Sequence, residues 1–280
     1  MTNTTHLLGG DLPVNRLGFG AMRLVRGTFH GPTRDPATGV KVLERAVELG
    51  VNHIDTAGFY GRDGVSANDM IRTALSPYRD DLVIATKVGP LRGPDGIPSG
   101  QAVAAQLRDL VETDLQELGL ERLDLVYLRV GGMTGPGNES IAERFAVLAA
   151  LREEGLIRHL GVSNVDAAQL AEARAIAPVA AVQNTYADDM AMLAECEAAG
   201  IAYAPFFPLG GGLDPRDLGR IARVAERLGA TTMQVALAAL LAESPAVLAI
   251  PGTGSLEHLE ENMAADAVVL SEEDLAELRG

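Results

Sequence analysis

The sequence predicts an α/β protein, a (β/α)8 TIM barrel forming one domain over residues 1–280. Three observations carry that prediction. Short apolar runs of strand length recur along the chain, each followed by a longer stretch with helical periodicity. Strands separated by helices run parallel, because each helix returns the chain to the same edge of the sheet. Eight such units fit within the 280 residues, the number that closes a barrel, and no low-complexity linker or charge run marks a domain boundary.

The first run is LGFGAM (17–22), followed by VNHID (51–55), DLVIATK (81–87) and LDLVYLR (123–129). HLGVSN (159–164), AAVQN (180–184), IAYAP (201–205) and AVLAIPG (246–252) complete the set. Between them, apolar positions 107, 110, 111, 115 and 118 keep the spacing that sets one helical stripe against a core, as do 141, 145 and 148. Gly- and Pro-rich stretches at 91–100, 131–140 and 207–215 read as long loops at one end. The last helix, SEEDLAELR, opens with Ser271 as its cap and Glu272 and Glu273 in the first turn.

Composition bounds the function. There are 23 Lys plus Arg against 38 Asp plus Glu, a net charge of −15, which excludes a general nucleic-acid binder. The single cysteine, Cys196, cannot form an intramolecular disulfide, and MTNTTHLLGGDLPVN lacks the pattern of a signal peptide. No stretch approaches the ~18 apolar residues of a membrane span. A cytoplasmic protein with a small-molecule substrate is predicted, with no membrane or nucleic-acid partner. It is expected to be a monomer or weak homo-oligomer, since no coiled-coil heptads or repeated apolar patch stand out.

In a parallel barrel the chemistry sits where strands end. The closing residues are Asp55, Lys87, Arg129, Ser163 with Asn164, Gln183, Phe206 and the turn Pro251-Gly252-Thr253. Each alone can be polar because the chain is leaving the core. Together, an aspartate, a lysine and an arginine on consecutive strands converge on one bowl. Tyr60 follows Asp55 in HIDTAGFYG, where Gly58 and Gly61 permit a turn back over the mouth. Opposite Tyr60, the Lys87 ammonium would stabilise the phenolate that proton donation leaves, and Asp55 would hold that lysine charged. Reducing a carbonyl also needs a hydride, which no amino acid supplies, so a nicotinamide cofactor is required.

No Rossmann fingerprint is present, since Gly18-Phe-Gly20-Ala-Met-Arg23 lacks its third glycine. The turn in IPGTGSLEHLEEN (250–262) offers an alternative phosphate site, with Gly252, Thr253, Gly254 and Ser255 presenting amides and hydroxyls at a helix start. Ser255 can equally be an ordinary helix cap there.

HIDTAGFYG, VIATKVG, GLIRHLGVSN, AVQN, PFFPLG and IPGTGSLEHLEEN, in that order, resemble the aldo-keto reductase superfamily over nearly the whole chain. The resemblance implies a barrel, NADPH, and a catalytic Asp, Tyr and Lys at Asp55, Tyr60 and Lys87. Where the family usually has His at the end of strand four, YLRV places Arg129, a feature that with VNRLGFGAM and PFFPLGG is most similar to the pyridoxal reductase branch. A fixed guanidinium there could stabilise an alkoxide or bind an anionic substrate oxygen.

The resemblance further implies that Ser163, Asn164 and Gln183 hold the nicotinamide carboxamide and that Phe206 stacks on the ring. It places Gly20 and Met22 at the nicotinamide end, Pro208, Leu209 and Gly210 along the pyrophosphate, and Pro251 to Ser255 around the adenosine phosphate. Glu261 and Asn262 would reach adenine, with His258 beside them. Relatives commonly carry Lys or Arg in this last segment to pair with the 2′-phosphate; here the positions read Gly252, His258 and Glu260, so NADH stays open as an alternative.

Rival readings are a metal-dependent hydrolase built on His53 and Asp55, which lacks histidines at later strand ends, and a Schiff-base aldolase using Lys87, which Asp55 would keep protonated. A tailoring ketoreductase and a non-catalytic NAD(P)H-binding regulatory protein also remain.

Overall fold

A computed structural model describes residues 5–28, 30–93, 96–132, 135–185, 190–206 and 218–279. Its centre is a parallel sheet of strands β1 (Phe19–Gly20), β2 (His53–Asp55), β3 (Val83–Val88), β4 (Leu123–Arg129), β5 (Ile157–Ser163), β6 (Val179–Gln183) and β7 (Ala202–Tyr203), neighbours in chain order. Every residue of β3 and β6 is buried, as expected of strands covered on both faces.

The eighth apolar run behaves differently from the sequence expectation. Residues 246–252 form no continuous strand; single parallel bridges join Val247 to Tyr203 and Ala249 to Leu17. Tyr203 N donates to Ala246 O and Gly18 N to Ala249 O, each at 2.8 Å, so this segment ties β7 to the start of β1. The ring is closed by these few bonds because Pro251 and the following turn carry the chain away almost at once.

Helices α1 (Pro36–Glu48), α2 (Ala67–Leu75), α3 (Leu107–Leu118), α4 (Ala142–Glu153), α5 (Ala167–Ile176), α6 (Met190–Ala199), α7 (Leu218–Leu228), α8 (Thr232–Glu243), α9 (Leu256–Met263) and α10 (Glu272–Arg279) surround the sheet. The stripe expected in α3 is found: Leu107, Val111, Leu115 and Leu118 are buried, with Leu110 half-buried against the same core. Ser271 caps α10, its hydroxyl accepting from Asp274 N at 3.1 Å.

Two hairpins depart from the expected organisation. Thr5–Leu8 pairs with Leu12–Asn15, and Leu8, Leu12 and Val14 pack against Val83, Ala85, Leu125 and Tyr127 inside the barrel. This hairpin plugs the end opposite the strand C-termini; Asp11 pins it to Arg158 and His159 at 2.7 and 2.6 Å. The stretch read as a loop at 91–100 is partly a second hairpin, Pro90–Arg92 with Pro98–Gln101. The expected loop at 207–215 lies outside the described residues. Among the described residues no helix is long and apolar enough to cross a membrane.

Candidate active site

Register steps the polar strand ends along the sheet, with Asp55 opposite Ala85, two residues before Lys87. Tyr127 lies opposite Lys87, Arg129 opposite Ser163, and Ser163 opposite Gln183, so side chains two residues apart along β4 address both neighbours. Lys87 is 2% exposed and its Nζ donates to Asp55 Oδ1 at 2.5 Å and to Thr56 O at 2.9 Å. Gln183 Nε2 donates to the other carboxylate oxygen, Oδ2, at 2.8 Å. Both oxygens of Asp55 are therefore engaged, as a buried carboxylate requires.

Lys87 Nζ also stands 4.9 Å from the centroid of the Tyr60 ring. Burial alone would push the lysine down, but the Asp55 carboxylate and Tyr60 outweigh it, and Lys87 is held above its ordinary value. It stays charged at neutral pH. This brings together three of the four residues expected at the catalytic centre.

Tyr60 is half-buried on the loop after β2, with Tyr60 N donating to Ala57 O and Ala67 N donating to Tyr60 O, each at 2.9 Å. The glycines around it serve a purpose other than the one expected. Neither Gly58 nor Gly61 has a positive φ; the left-handed residues of this turn are Asp63 and Gly64, at 51° and 78°. What Gly58 provides is room, since a Cβ there would lie 2.3 Å from Asp114 Oδ1. Asp114, buried on α3, accepts from Thr86 Oγ1 at 2.6 Å and Asn68 Nδ2 at 3.2 Å, backing the loop and the strand that carries Lys87. Arg92 Nη2 adds a hydrogen bond to Gly58 O.

Arg129, the fourth expected residue, points into the same bowl. Burial pushes its guanidinium below the ordinary arginine range, opposed by Tyr60 and Asp55. Its Nη1 donates to Ser163 Oγ at 3.3 Å, and its Cζ lies 4.7 Å from the centroid of Phe206. Phe206, expected to stack on a nicotinamide, thus carries a cation–π contact on this side of the mouth. Asn164, at a φ of 62°, donates its Nδ2 to the carbonyls of Val130, Gly132 and Gly135, tying down the loop after β4.

The remaining expected residues form a rim. Gly20 N donates to Pro251 O at 3.2 Å, and a Cβ on Gly252 would lie 2.5 Å from Gly20 O, so the turn after residue 250 lies directly against the end of β1. Met22 starts a short helical turn, Met22–Val25. Thr253 and Gly254 are buried, and Thr253 Oγ1 accepts from Ser255 N at 3.1 Å. Ser255 caps α9, accepting from His258 N at 3.4 Å, so the cap reading and the cradle reading describe the same turn. His258 is exposed, Glu261 half-buried and Asn262 buried. Pro208, Leu209 and Gly210 lie outside the described residues.

Sequence reasoning missed Arg34. From the loop before α1 its Nη1 donates to Gly254 O at 3.2 Å across 220 residues of chain, and no spacing or periodicity signals such a contact. It also missed Asp114 and Thr86, which looked like ordinary helix and strand positions. His53 is fully buried and burial pushes it down to about 4, so it is neutral at pH 7; among the described residues no three His, Cys, Asp or Glu gather as a metal site.

The cradle fits a dinucleotide on its own geometry. The absence of side chains at Gly20, Gly252 and Gly254 lets the β1 end, the turn and the Arg34 guanidinium pack into one close wall, and the buried Nε of Arg34 has no hydrogen-bond partner, a donor a phosphate would engage.

Comparison with known proteins agrees. The model of the aldo/keto reductase family matches residues 16–280. Pyridoxine 4-dehydrogenase of Escherichia coli (strain K12) is 49% identical, over 100% of this chain and 99% of that protein. An aldo-keto reductase of Klebsiella pneumoniae in complex with NADPH is 27% identical, covering 99% of this chain and 94% of that one at a TM-score of 0.80. The thermostable aldo-keto reductase Tm1743 is 29% identical, covering 98% of each chain at a TM-score of 0.82. With the barrel matched almost end to end and the Asp, Tyr and Lys drawn together at its mouth, the chain belongs to the aldo/keto reductase family of oxidoreductases.

Proposed function

We propose that the protein is an NADPH-dependent carbonyl reductase that interconverts pyridoxal and pyridoxine, with Tyr60 as the proton donor. The observation that carries this reading is the buried Asp55–Lys87 pair beside Tyr60. When bound, NADPH supplies the hydride. Tyr60 gives its hydroxyl proton to the carbonyl oxygen as negative charge develops there. Lys87, fixed by Asp55 Oδ1 and Thr56 O, stabilises the phenolate left behind. Gln183 keeps the second Asp55 oxygen satisfied, so the carboxylate does not turn away from the lysine. Gly20, Met22, Ser163, Asn164, Gln183 and Phe206 would line the nicotinamide end, with Pro251 to Ser255 around the adenosine phosphate and His258, Glu261 and Asn262 toward adenine.

The identity to the pyridoxine 4-dehydrogenase supports pyridoxal as the carbonyl substrate. Arg129 supports it physically: a guanidinium beside Ser163 and Phe206 attracts an anionic ring oxygen next to the aldehyde more strongly than it does a neutral aliphatic aldehyde. The enzyme acts in the cytoplasm as a monomer or weak homo-oligomer and takes no nucleic-acid partner, in keeping with one cysteine and a net charge of −15. Following NADPH absorbance with pyridoxal and a panel of aldehydes tests the reading. Saturable turnover of pyridoxal is expected; turnover of other carbonyls with none of pyridoxal would move the substrate elsewhere.

A further inference from the structure

We propose that Arg34 receives the adenosine 2′-phosphate of NADPH and thereby sets the preference for NADPH over NADH; this rests on the reading that a nicotinamide dinucleotide spans the barrel mouth. The turn and helix that should hold this phosphate bring amides and hydroxyls but no cation: residues 251–262 contain Glu257, Glu260 and Glu261 and no Lys or Arg. Nor does the nearby Arg45 supply one, since it pairs with Glu260 and Glu48, each at 3.0 Å.

Arg34 fills that gap from the other side of the barrel seam. Its Nη1 donates to Gly254 O at 3.2 Å, and a Cβ on Gly254 would lie 2.8 Å from its Cδ and Nη1 and 2.9 Å from its Cζ. The guanidinium therefore lies flat against a glycine, and only glycine at 254 leaves it that place. Among the described residues Arg34 has no ion pair, and its Nε is buried without a hydrogen-bond partner. The adjacent acid, Asp35, is spent on capping α1, accepting from Ala37 N and Thr38 Oγ1 at 3.1 Å each.

A second arginine converges on the same turn. Arg23 Cγ would lie 3.6 Å from a Cβ on Gly252, and burial first, then the charge of Arg34, hold Arg23 below its ordinary value. Two guanidinium groups close enough to feel each other, on a chain of net charge −15, make a local field that a phosphate dianion neutralises. Arg34 presents a planar fork with its Nε still to be matched, the geometry that suits a phosphate. NADH brings a neutral hydroxyl to that position and leaves the fork unanswered.

Calorimetric titration of the full-length protein with NADPH, NADH, adenosine 2′,5′-bisphosphate and 5′-ADP reads this without turnover. Arg34→Gln is expected to weaken NADPH and the bisphosphate by about 10- to 100-fold, the range for a hydrogen bond to a charged group, while leaving NADH and 5′-ADP within about twofold. Arg34→Lys should recover part of the affinity that Arg34→Gln loses. Equal weakening of both dinucleotides, or none, would overturn the assignment of Arg34 alone. Absence of binding by either dinucleotide to the unaltered protein would overturn the cofactor reading, and this inference with it.

Discussion

At the ends of β2 and β3 the fold holds Asp55 and Lys87 by their side chains, on regular strands, with every polar atom of the carboxylate answered. At Pro251 to Ser255 it holds a cradle by backbone, on a turn whose neighbours press so closely that Gly20 and Gly252 cannot carry a Cβ. The first region stores charge in a dry place and the second is a tightly packed turn at the rim. If the proposed roles hold, moving one proton to one atom falls to buried side chains, while recognising a large anion falls to glycines and an arginine reaching in from a distant loop.

The contrast breaks most sharply at Lys87. Lys87→Met leaves Asp55 buried beside a single amide donor, so stability should fall by about 3–5 kcal/mol and reduction by ~100-fold or more. The double variant Asp55→Asn with Lys87→Met removes the orphaned charge and should regain much of the stability but none of the turnover. Thermal unfolding and steady-state rates on both variants separate the two effects; regained turnover would deny the pair its role in proton transfer.

Gly252→Ala tests the other region. Its Cβ would lie 2.5 Å from Gly20 O, so the two backbones must part, at a cost of about 1–3 kcal/mol typical of overpacking. NADPH affinity should fall while kcat at saturating cofactor stays near the original. A fall in kcat with unchanged affinity would place this turn in the chemistry instead of in binding.

Much of the first region was legible in the sequence, and less of the second. Asp55, Lys87 and Arg129 close apolar runs of obvious strand character, and a parallel barrel gathers such ends without further information. Arg34 could not be read this way, because its partner Gly254 is 220 residues distant and the contact depends on how two loops cross. The eighth strand shows the same limit: AVLAIPG has strand composition, yet it makes single bridges at Val247 and Ala249 in place of a continuous strand, since the closing geometry is set by its neighbours. The N-terminal hairpin left no such signal, because its plugging role appears only once the barrel interior exists to receive Leu8, Leu12 and Val14.

Arg129, half-buried beside Ser163 and Phe206, tests the substrate part of the proposal. Arg129→His should lower kcat/KM for pyridoxal more than for a neutral aliphatic aldehyde, by roughly 1–3 kcal/mol. Equal losses on both would assign Arg129 to alkoxide stabilisation or to structure.

An effect read only as a change of slope with pH concerns Asp114 behind the Tyr60 loop. Burial raises its carboxyl from 3.8 to about 7, so the folded protein keeps the proton over a range where the unfolded chain has lost it. The stability it contributes is full below the unfolded value and is lost as pH rises through about 7, with a slope of at most about 1.4 kcal/mol per pH unit. Asp114→Asn should flatten that window in denaturant titrations run at several pH values. An unchanged slope would mean another group carries the proton.

Tyr60→Phe tests the central claim most directly, because it removes one oxygen beside Lys87 and leaves the turn at residues 251–255 unchanged. NADPH titration monitored by calorimetry should match the unaltered protein, while NADPH-dependent reduction of pyridoxal falls by ~100-fold or more. Turnover of pyridoxal close to that of the unaltered protein would contradict the assignment of Tyr60 as the proton donor.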